Sequence, residues 1–327
     1  MPPFPPTDSD APGTGPADNV AQNYRAFGLI IRSDVPLPEL APVGCDDAQT
    51  LSPDITIVLA ALERPLPTRQ DGTTVEFGDN GDHYLAWPEV GAFQFRGRDR
   101  VEVQPHPDAS MAYLAFPLLG PIFGLLLHAR GLLVLHGSAI EIDGKGAIFV
   151  GDKLAGKSTT AAAFLRAGHR LLTDDLLAVD LSDAQAPRIL PAYGQLKLSD
   201  EASSAVVVQE SEPLPLVYAG FEKRQHRLTS RFQHDTIAPN RLYQLARGGT
   251  QPASTALNGV DALQAIMRFS YIARFGKAAL PGKAEAEHMQ LCAQLARFTQ
   301  VARLDIPADL DRLDETVALV RTDMAGG

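Results

Sequence analysis

The chain has 327 residues, of which 45% are hydrophobic and 21% charged, as in soluble globular proteins with one large domain or two ordinary ones. Its formal net charge of −10 argues against a nucleic-acid-binding protein, because phosphate contacts require a basic face. The two cysteines, Cys45 and Cys292, are far apart and lack metal-ligand spacing. This usage argues against a disulfide framework or a zinc site and fits the reducing cytoplasm, where we expect the protein to act.

The first 108 residues predict a tail followed by a small β-rich domain. Residues 1–20 are rich in Pro, Asp and Gly and have neither a basic nor an apolar region of the kind that begins a signal peptide, so they predict a disordered tail. Residues 21–108 contain short runs with the spacing of strands, and we expect an antiparallel sheet. These runs are 26–32, 54–60, 73–77, 82–87, 91–96 and 100–104. The alternating aromatic residues Tyr84, Trp87, Phe93 and Phe95 are expected in its core.

The remainder, 109–327, is predicted to be one α/β domain with a helical C-terminus. Its most apolar stretch, 111–127, is shorter than the roughly 20 residues of a membrane span and is interrupted by Pro117 and Pro121, so we expect buried helices and no membrane partner. Later segments with helical periodicity close the chain. These are residues 259–274, 284–299 and 310–324.

A phosphate-binding loop motif begins at Gly151. Residues 151–158 read GDKLAGKS, which matches G-x-x-x-x-G-K-[ST], and they follow the apolar strand 147–150 and precede a helical stretch that starts at Ser158. Such a loop turns backbone N–H groups and the helix dipole toward a polyphosphate. Lys157 adds a positive charge for the phosphates, and the Ser158 hydroxyl can bind Mg²⁺. The motif therefore predicts a nucleotide site.

Two adjacent acids and one histidine accompany the loop. Asp174 and Asp175 follow the strand 170–173, one helix after Lys157, and we expect them at the sheet edge where the phosphates lie. One carboxylate can hold Mg²⁺ while the other accepts the proton of an attacking hydroxyl. His136, at the end of the apolar run 132–135, is a further candidate.

A basic stretch at 222–231 is predicted to be a loop. It contains Lys223, Arg224, Arg227 and Arg231 in an otherwise acidic chain. Either it is a solvated loop, or Arg224 and Arg227 close over the nucleotide's terminal phosphate or an acidic peptide end. Lys197, beside a predicted strand, is a further candidate for the same task.

Together these segments resemble the catalytic core of bacterial HPr serine kinase/phosphorylase. That family shows the same order of an H-G pair, a hairpin, the phosphate loop, a helix and G-H-x-L-x-x-D-D, here within residues 132–181. The resemblance implies an α/β fold with a mixed sheet and flanking helices. The overall layout better resembles the HPr-kinase-like proteins encoded with lasso peptides and other ribosomal peptides, which phosphorylate a serine of the precursor, commonly the C-terminal one.

By this resemblance the catalytic residues are Asp174, Asp175, His136 and Lys157. Asp174 would be the base, and Asp175 would bind Mg²⁺ with Ser158. The predicted ATP-binding residues are Gly151, Asp152, Lys153, Leu154, Ala155, Gly156, Lys157, Ser158 and Thr159, with Arg224 and Arg227.

The resulting prediction is an ATP- and Mg²⁺-dependent kinase whose partner is a peptide or protein carrying an acceptor serine, such as a lasso peptide precursor. Two alternatives on the same fold are an HPr-type protein serine kinase and a small-molecule kinase. A nucleotide-binding switch or scaffold without catalysis is the alternative of another class; the presence of both acids disfavours it, since a switch needs only Mg²⁺ coordination. The oligomeric state is left open.

Overall fold

The computed structural model describes residues 21–44, 51–78, 81–206, 211–214 and 223–326. The predicted tail, Cys45 and part of the turn at 79–82 lie outside them. The described residues form two compact units that divide between Arg130 and Gly131. The apolar helical segment therefore belongs to the first unit, whereas the sequence analysis assigned it to the second.

The first unit contains a seven-stranded mixed sheet. Four of its six neighbouring pairs are antiparallel, but the strand β3 (Ile55–Leu59) runs parallel to both of its neighbours, β2 (Leu29–Ser33) and β7 (Arg100–Pro105). A parallel pair needs a long connection, and the segments on either side of β3 supply it, so the expectation of a purely antiparallel sheet is corrected at its centre. The strands are β1 (Gln22–Ala26), β2 (Leu29–Ser33), β3 (Ile55–Leu59), β4 (Thr74–Glu76), β5 (Tyr84–Trp87), β6 (Gly91–Arg96) and β7 (Arg100–Pro105), in the order β1-β2-β3-β7-β6-β5-β4.

The aromatic residues of this sheet are core residues, as the sequence predicts. Tyr84, Trp87, Phe93 and Phe95 are all buried. The Trp87 and Phe93 rings meet edge to face at 5.6 Å between centroids. The aromatic side chains therefore stabilise the unit and present no stacking surface to a ligand.

The apolar segment after β7 consists of helix α1 (Met111–Pro117), a π-helical stretch (Leu118–Ile122) and helix α2 (Phe123–Ala129). The backbone departs from helical geometry at Gly120. By length and composition the whole stretch, with mean hydropathy 1.7 over its most apolar window, could cross a membrane, but 67% of that window is buried inside the protein. Burial of this kind is what the prediction of core helices requires.

The second unit is built on a larger mixed sheet. Its strands are β8 (Leu133–Ile142), β9 (Lys145–Val150), β10 (Arg170–Asp180), β11 (Arg188–Leu190), β15 (Pro239–Gly249), β16 (Ala253–Leu257) and β17 (Gln300–Pro307), in the order β11-β10-β8-β9-β15-β17-β16. A small antiparallel sheet of order β12-β14-β13 accompanies it, with β12 (Gln195–Ser199), β13 (Ser211–Pro213) and β14 (Lys223–Leu228).

Helices cover both faces of the larger sheet and bury two separate cores. One core joins Phe149 and Leu304 of the sheet to Phe164 on helix α3 (Lys157–Arg166) and Val320 on helix α7 (Leu313–Ala325). The other joins further strand residues to Ile266 on helix α5 (Val260–Arg268) and Cys292 on helix α6 (Lys283–Phe298). The helices are α3 (Lys157–Arg166), α4 (Asp200–Ala205), α5 (Val260–Arg268), α6 (Lys283–Phe298) and α7 (Leu313–Ala325), with 3-10 turns at Ile272–Ala279 and Leu310–Arg312.

Strand β8 aligns the loop with the paired acids. Its residue Gly137 pairs on one side with Val150, the last residue before the phosphate loop, and on the other side with Asp175. A Cβ atom at Gly137 would lie 2.6 Å from the Phe149 carbonyl oxygen, so the close approach of β8 and β9 requires glycine.

Three predicted elements differ from the structure. The segments 170–173 and 176–181 form one strand, β10, which passes through both aspartates although Asp175 adopts a positive φ of 85°. The basic stretch predicted as a loop contains strand β14. The helix predicted over 259–274 ends at Arg268, and the chain then continues as an extended contact and a 3-10 turn.

Candidate active site

The phosphate loop joins β9 to α3 with the backbone that its glycines allow. Gly156 has φ 95°, in the left-handed region that glycine adopts without strain, whereas Leu154, at φ 68°, adopts the same region as a strained non-glycine residue. A Cβ atom at Gly151 would lie 2.9 Å from that of Ala155, so the start of the loop is also restricted to glycine. Helix α3 then begins at Lys157, and its first N–H groups face the mouth of the loop. Local sequence alone therefore builds an anion-binding turn.

Lys157 lies folded against the loop that precedes it. Its Nζ donates hydrogen bonds to the carbonyl oxygens of Gly151 at 2.8 Å and Asp152 at 3.1 Å. Burial lowers the pKa of the Lys157 ammonium, against the opposing effect of Asp174 and Asp175, and the nearby charge of Lys223 lowers it further. An anion in the loop would relieve this shift, which is what a phosphate-binding lysine requires.

Asp174 is the buried member of the acid pair, only 6% exposed. Its Oδ1 accepts hydrogen bonds from Ser138 Oγ at 2.6 Å and from Ser158 Oγ at 3.0 Å. Its Oδ2 accepts one from the backbone N–H of Lys197 at 3.2 Å. The carboxylate is thus fixed directly against the hydroxyl of the phosphate loop.

Asp175 is the more accessible member, with 32% of its side chain exposed. Its Oδ1 lies 3.1 Å from His136 Nδ1, and its Oδ2 lies 2.9 Å from Lys197 Nζ. Burial raises the pKa of the Asp175 carboxyl, but the attraction of Lys197 and His136 outweighs it and holds the pKa well below its usual range. The group is therefore an ionised carboxylate at neutral pH, with a strained backbone of the kind found at functional sites.

This geometry divides the acids differently from the sequence analysis. That analysis assigned Asp175 to the metal with Ser158 and took Asp174 as the base. In the structure Ser158 contacts Asp174, while Asp175 turns toward His136 and the solvent. The register places Asp174, Ser138 and His136 on one face of the sheet, and the positive φ of Asp175 (85°) interrupts the alternation of side chains, so the Asp175 carboxylate also reaches His136.

The predicted arginines do not reach the loop. Arg224 Nε lies 2.6 Å from Asp200 Oδ1, and Arg227 Nη2 lies 3.0 Å from Glu212 Oε2, in both cases as exposed ion pairs. Strand pairing places Arg224 opposite Leu198, on the face away from Lys197. Arg224 and Arg227 are thus directed elsewhere in this structure. Two lysines approach the site instead: Lys197 binds Asp175, and Lys223 lies near enough for its charge to act on Lys157.

The sequence analysis missed a wall of the site formed by residues 268–274. Arg268 Nη2 binds both carboxylate oxygens of Asp152 in the loop, at 2.9 and 2.8 Å. Further along, the Tyr271 ring meets the His136 ring at 6.4 Å between centroids. These residues fall in the stretch predicted as the interior of a helix, so no motif signalled them. Ser138 was also missed, although it lies within the H-G-S-A-I segment.

The oxygen ligands at this corner suit Mg²⁺. A hydroxyl from Ser158 and a carboxylate from Asp174 are ligands that this ion prefers, and it usually completes its shell with water and substrate phosphates. Among the described residues, three or more His, Cys, Asp or Glu side chains nowhere gather into a metal-type cluster. A metal here would therefore depend on the nucleotide for its remaining ligands.

A groove of about 830 Å³ lies elsewhere in the second unit. Its lining includes Arg241, Gln300 and Asp323 together with residues of α5, α6 and β16. Arg241 and Gln300 stand near the N-terminal ends of parallel strands, whereas the phosphate loop follows the C-terminal end of β9. The groove contains none of the predicted site residues.

Comparison with known proteins gives a consistent partial similarity. No family model matches the chain. HPr kinase/phosphorylase from Limosilactobacillus reuteri is 44% identical over 61 residues, which cover 17% of this chain and 19% of that protein. HPr kinase/phosphorylases from Pediococcus pentosaceus (43% over 61 residues, 17% of this chain and 20% of that protein) and Clostridium beijerinckii (45% over 49 residues, 15% and 16%) are similar to the same degree. The chain thus spans about a fifth of the length of the curated relatives it matches.

A solved structure of the Hpr(Ser) kinase/phosphatase from Coxiella burnetii aligns with 59% of this chain and 99% of its own, at a TM-score of 0.31 and 12% sequence identity. That overlap is too weak to support an argument. The sequence matches confirm the resemblance predicted from the phosphate loop and the paired aspartates: this protein carries a segment similar to HPr kinase/phosphorylases within a mixed α/β fold.

Proposed function

We propose that this protein is an ATP-dependent kinase that phosphorylates a serine hydroxyl of a peptide or protein. The observation that carries the proposal is the contact of Ser158 with Asp174, beside an Asp175 held by His136 and Lys197. A phosphate loop alone indicates only nucleotide binding. Asp175 is a second carboxylate, ionised and accessible, next to the proposed Mg²⁺ ligands Ser158 and Asp174. It adds the group that can accept a proton from the acceptor hydroxyl during phosphoryl transfer.

Residues 151–159 would hold the triphosphate, with Lys157 neutralising its charge. Ser158 and Asp174 would bind Mg²⁺, which supplies electrostatic stabilisation of the transferring group. Lys197 and Lys223 would replace the predicted Arg224 and Arg227 as the cations that approach the phosphates. Their proximity to Asp175 and Lys157 supports this role.

Asp175 is the group that we assign as the base on the acceptor hydroxyl. Its low pKa makes it a weak base, but phosphoryl transfer proceeds through a loose transition state in which positioning matters more than basicity. His136 fixes the orientation of the carboxylate through its contacts with the Asp175 side chain and the backbone oxygen, both at 3.1 Å. The acceptor would approach from the exposed side of Asp175.

For the acceptor we propose the C-terminal serine of a ribosomally made precursor peptide such as a lasso peptide precursor, on the resemblance of the overall layout. HPr itself is the second candidate, because the curated relatives are named for it. A cytoplasmic location follows from the proposed use of ATP.

The test is phosphoryl transfer from ATP, in the presence of Mg²⁺, to two acceptors, a serine-terminated peptide and HPr, with buffer alone as the blank and phosphate incorporation followed by mass spectrometry. Incorporation into either acceptor, absent in Lys157→Ala, supports a kinase and identifies its acceptor class. ATP binding without incorporation into any acceptor would favour the non-catalytic switch.

A further inference from the structure

The segment 269–271 extends the sheet where β9 ends. The Phe269 carbonyl accepts a hydrogen bond from the His136 N–H at 2.8 Å, and the Tyr271 N–H donates one to the Val134 carbonyl at 2.7 Å. Between them Ser270 pairs with Leu135. The edge of β8 that β9 leaves free is thus occupied, and the position of Tyr271 is set by the same strand that carries His136.

Tyr271 is buried beside the acid that we assign as the base. It is 4% exposed, and its ring lies edge-on to the His136 ring. Burial raises the pKa of the Tyr271 hydroxyl to about 12; Arg274 lowers it somewhat, and the charge of Asp175 raises it. The hydroxyl therefore stays protonated at neutral pH, within the field of Asp175.

Arg274 contacts the Tyr271 ring. Its guanidinium lies 4.4 Å from the centroid of the Tyr271 ring, while the residue itself is exposed. Arg224, Arg227 and Arg268 each bind a carboxylate. Arg274 has no carboxylate within ion-pair distance in the described part of the chain. A guanidinium has five N–H donors, so one that stacks on the Tyr271 ring and hydrogen-bonds to the Tyr271 hydroxyl still has donors left for a planar anion.

A continuous row of contacts joins this cation to the acid pair. Ser158 contacts Asp174 at the phosphate loop, the neighbouring Asp175 contacts His136, and the side chains of His136, Tyr271 and Arg274 follow one another in contact. An acceptor whose hydroxyl reaches Asp175 would extend along this row.

We propose that Arg274, held on the Tyr271 ring, binds a carboxylate of the acceptor next to the hydroxyl that is phosphorylated. This inference rests on the proposed function. The carboxylate can belong to the C-terminus of a peptide that ends in serine or to an acidic side chain beside an internal serine. Both present the planar, two-oxygen group that arginine binds with two hydrogen bonds.

A binding experiment tests the inference without catalysis. N-acetyl-L-serine and its amide are titrated by calorimetry into the full-length protein loaded with Mg²⁺ and a non-hydrolysable ATP analogue. A hydrogen-bonded ion pair of this kind predicts that the acid binds about 10- to 100-fold more tightly than the amide. Arg274→Gln should abolish this preference, and Arg274→Lys should restore part of it. Arg188→Gln, an exposed arginine on β11, is the matched control and should keep it.

Kinetics then identify the source of the carboxylate. Serine-terminated peptides are compared as acid and amide, and internal-serine peptides are compared with Asp or Asn after the serine. A preference that depends on Arg274 in either pair supports the inference and names the source. Equal binding of acid and amide, undetectable binding of the acid, or a loss in Arg274→Gln that is equal for both would overturn it. A changed KM for ATP alone would also overturn it, because the arginine would then serve the nucleotide.

The two proposals fail separately. If no serine acceptor is phosphorylated while the acid is still preferred through Arg274, the kinase assignment fails and the carboxylate site stands. If transfer occurs without any such preference, the kinase stands and the site fails.

Discussion

Replacing Asp175 by Asn is the sharpest test of the division between the two acids. Asn keeps the size of the side chain and tolerates the positive φ of this position about as well as Asp does. It can still hydrogen-bond to His136 and Lys197, so the pocket should keep its shape. What it loses is the negative charge and the ability to take up a proton.

The expected effect is large on catalysis and small on binding and folding. A positioned general base contributes about 10²- to 10⁴-fold to the rate, so kcat should fall by that factor. ATP affinity should change by less than about five-fold, since Asp175 makes no contact with Ser158 or the loop carbonyls in the described structure. Because the pKa of Asp175 lies well below its usual value, the carboxylate is already ionised at pH 5. Its titration should therefore cause no rise in the wild-type rate between pH 5 and pH 7.

The assay measures kcat by phosphate incorporation and ATP affinity by titration of a fluorescent analogue. Asp143→Asn is the matched control, because Asp143 is also an aspartate with positive φ (50°) but lies in the exposed turn between β8 and β9. Asp174→Asn should instead raise the Mg²⁺ concentration that gives half the maximal rate, since Asp174 contacts Ser158 and is proposed to bind the metal with it. A kcat in Asp175→Asn within three-fold of wild type would refute Asp175 as the base.

Three further predictions follow from single contacts. Lys157→Ala should weaken binding of the fluorescent ATP analogue by at least about ten-fold, as expected for loss of a charge-assisted contact. Lys153→Ala, at an exposed residue of the same loop, should change the binding little. Equal effects of the two substitutions would contradict the role of Lys157. Gly137→Ala should lower the free energy of unfolding, measured in urea, by about 1–3 kcal/mol, because the added methyl group overpacks against the backbone of β9. Gly44→Ala, whose methyl group would contact no neighbouring atom, should leave it unchanged. An unchanged unfolding midpoint in Gly137→Ala would show that β8 and β9 can separate at no cost. Arg224→Ala should leave kcat and KM for ATP within about two-fold, because its exposed ion pair with a helix residue is worth little, and a ten-fold loss would restore the arginine to the phosphate site.

The loop, its strand and its helix were predictable because they depend on short-range sequence. The glycines at 151 and 156 are required by local backbone geometry, and Lys157 and Ser158 follow at a fixed spacing on the first turn of α3. His136 was also assigned to the same site as the two acids, because the H-G pair and the D-D pair occur in the order that the resemblance implies.

The remaining features depend on contacts between distant parts of the chain. Tyr271 and Arg274 reach the site because 269–271 pairs with β8, more than 130 residues earlier, and helical periodicity through 259–274 concealed the break. The basic residues around 224 gave no sign that they would pair with β12 as a strand. The direction of β3 was equally hidden, because alternation in a sequence is the same for parallel and antiparallel neighbours.

Because Gly137 pairs with both Val150 and Asp175, strand β8 sets the alignment of the phosphate loop with the two acids. Sliding β8 by a single residue against either neighbour would reverse the faces of its side chains and carry His136 and Ser138 away from their partners together. The phosphate loop, the Ser158–Asp174 pair and the base Asp175 should therefore keep or lose their alignment together. Substitutions at the tip of the phosphate loop, where Leu154 is 73% exposed, would not change this alignment.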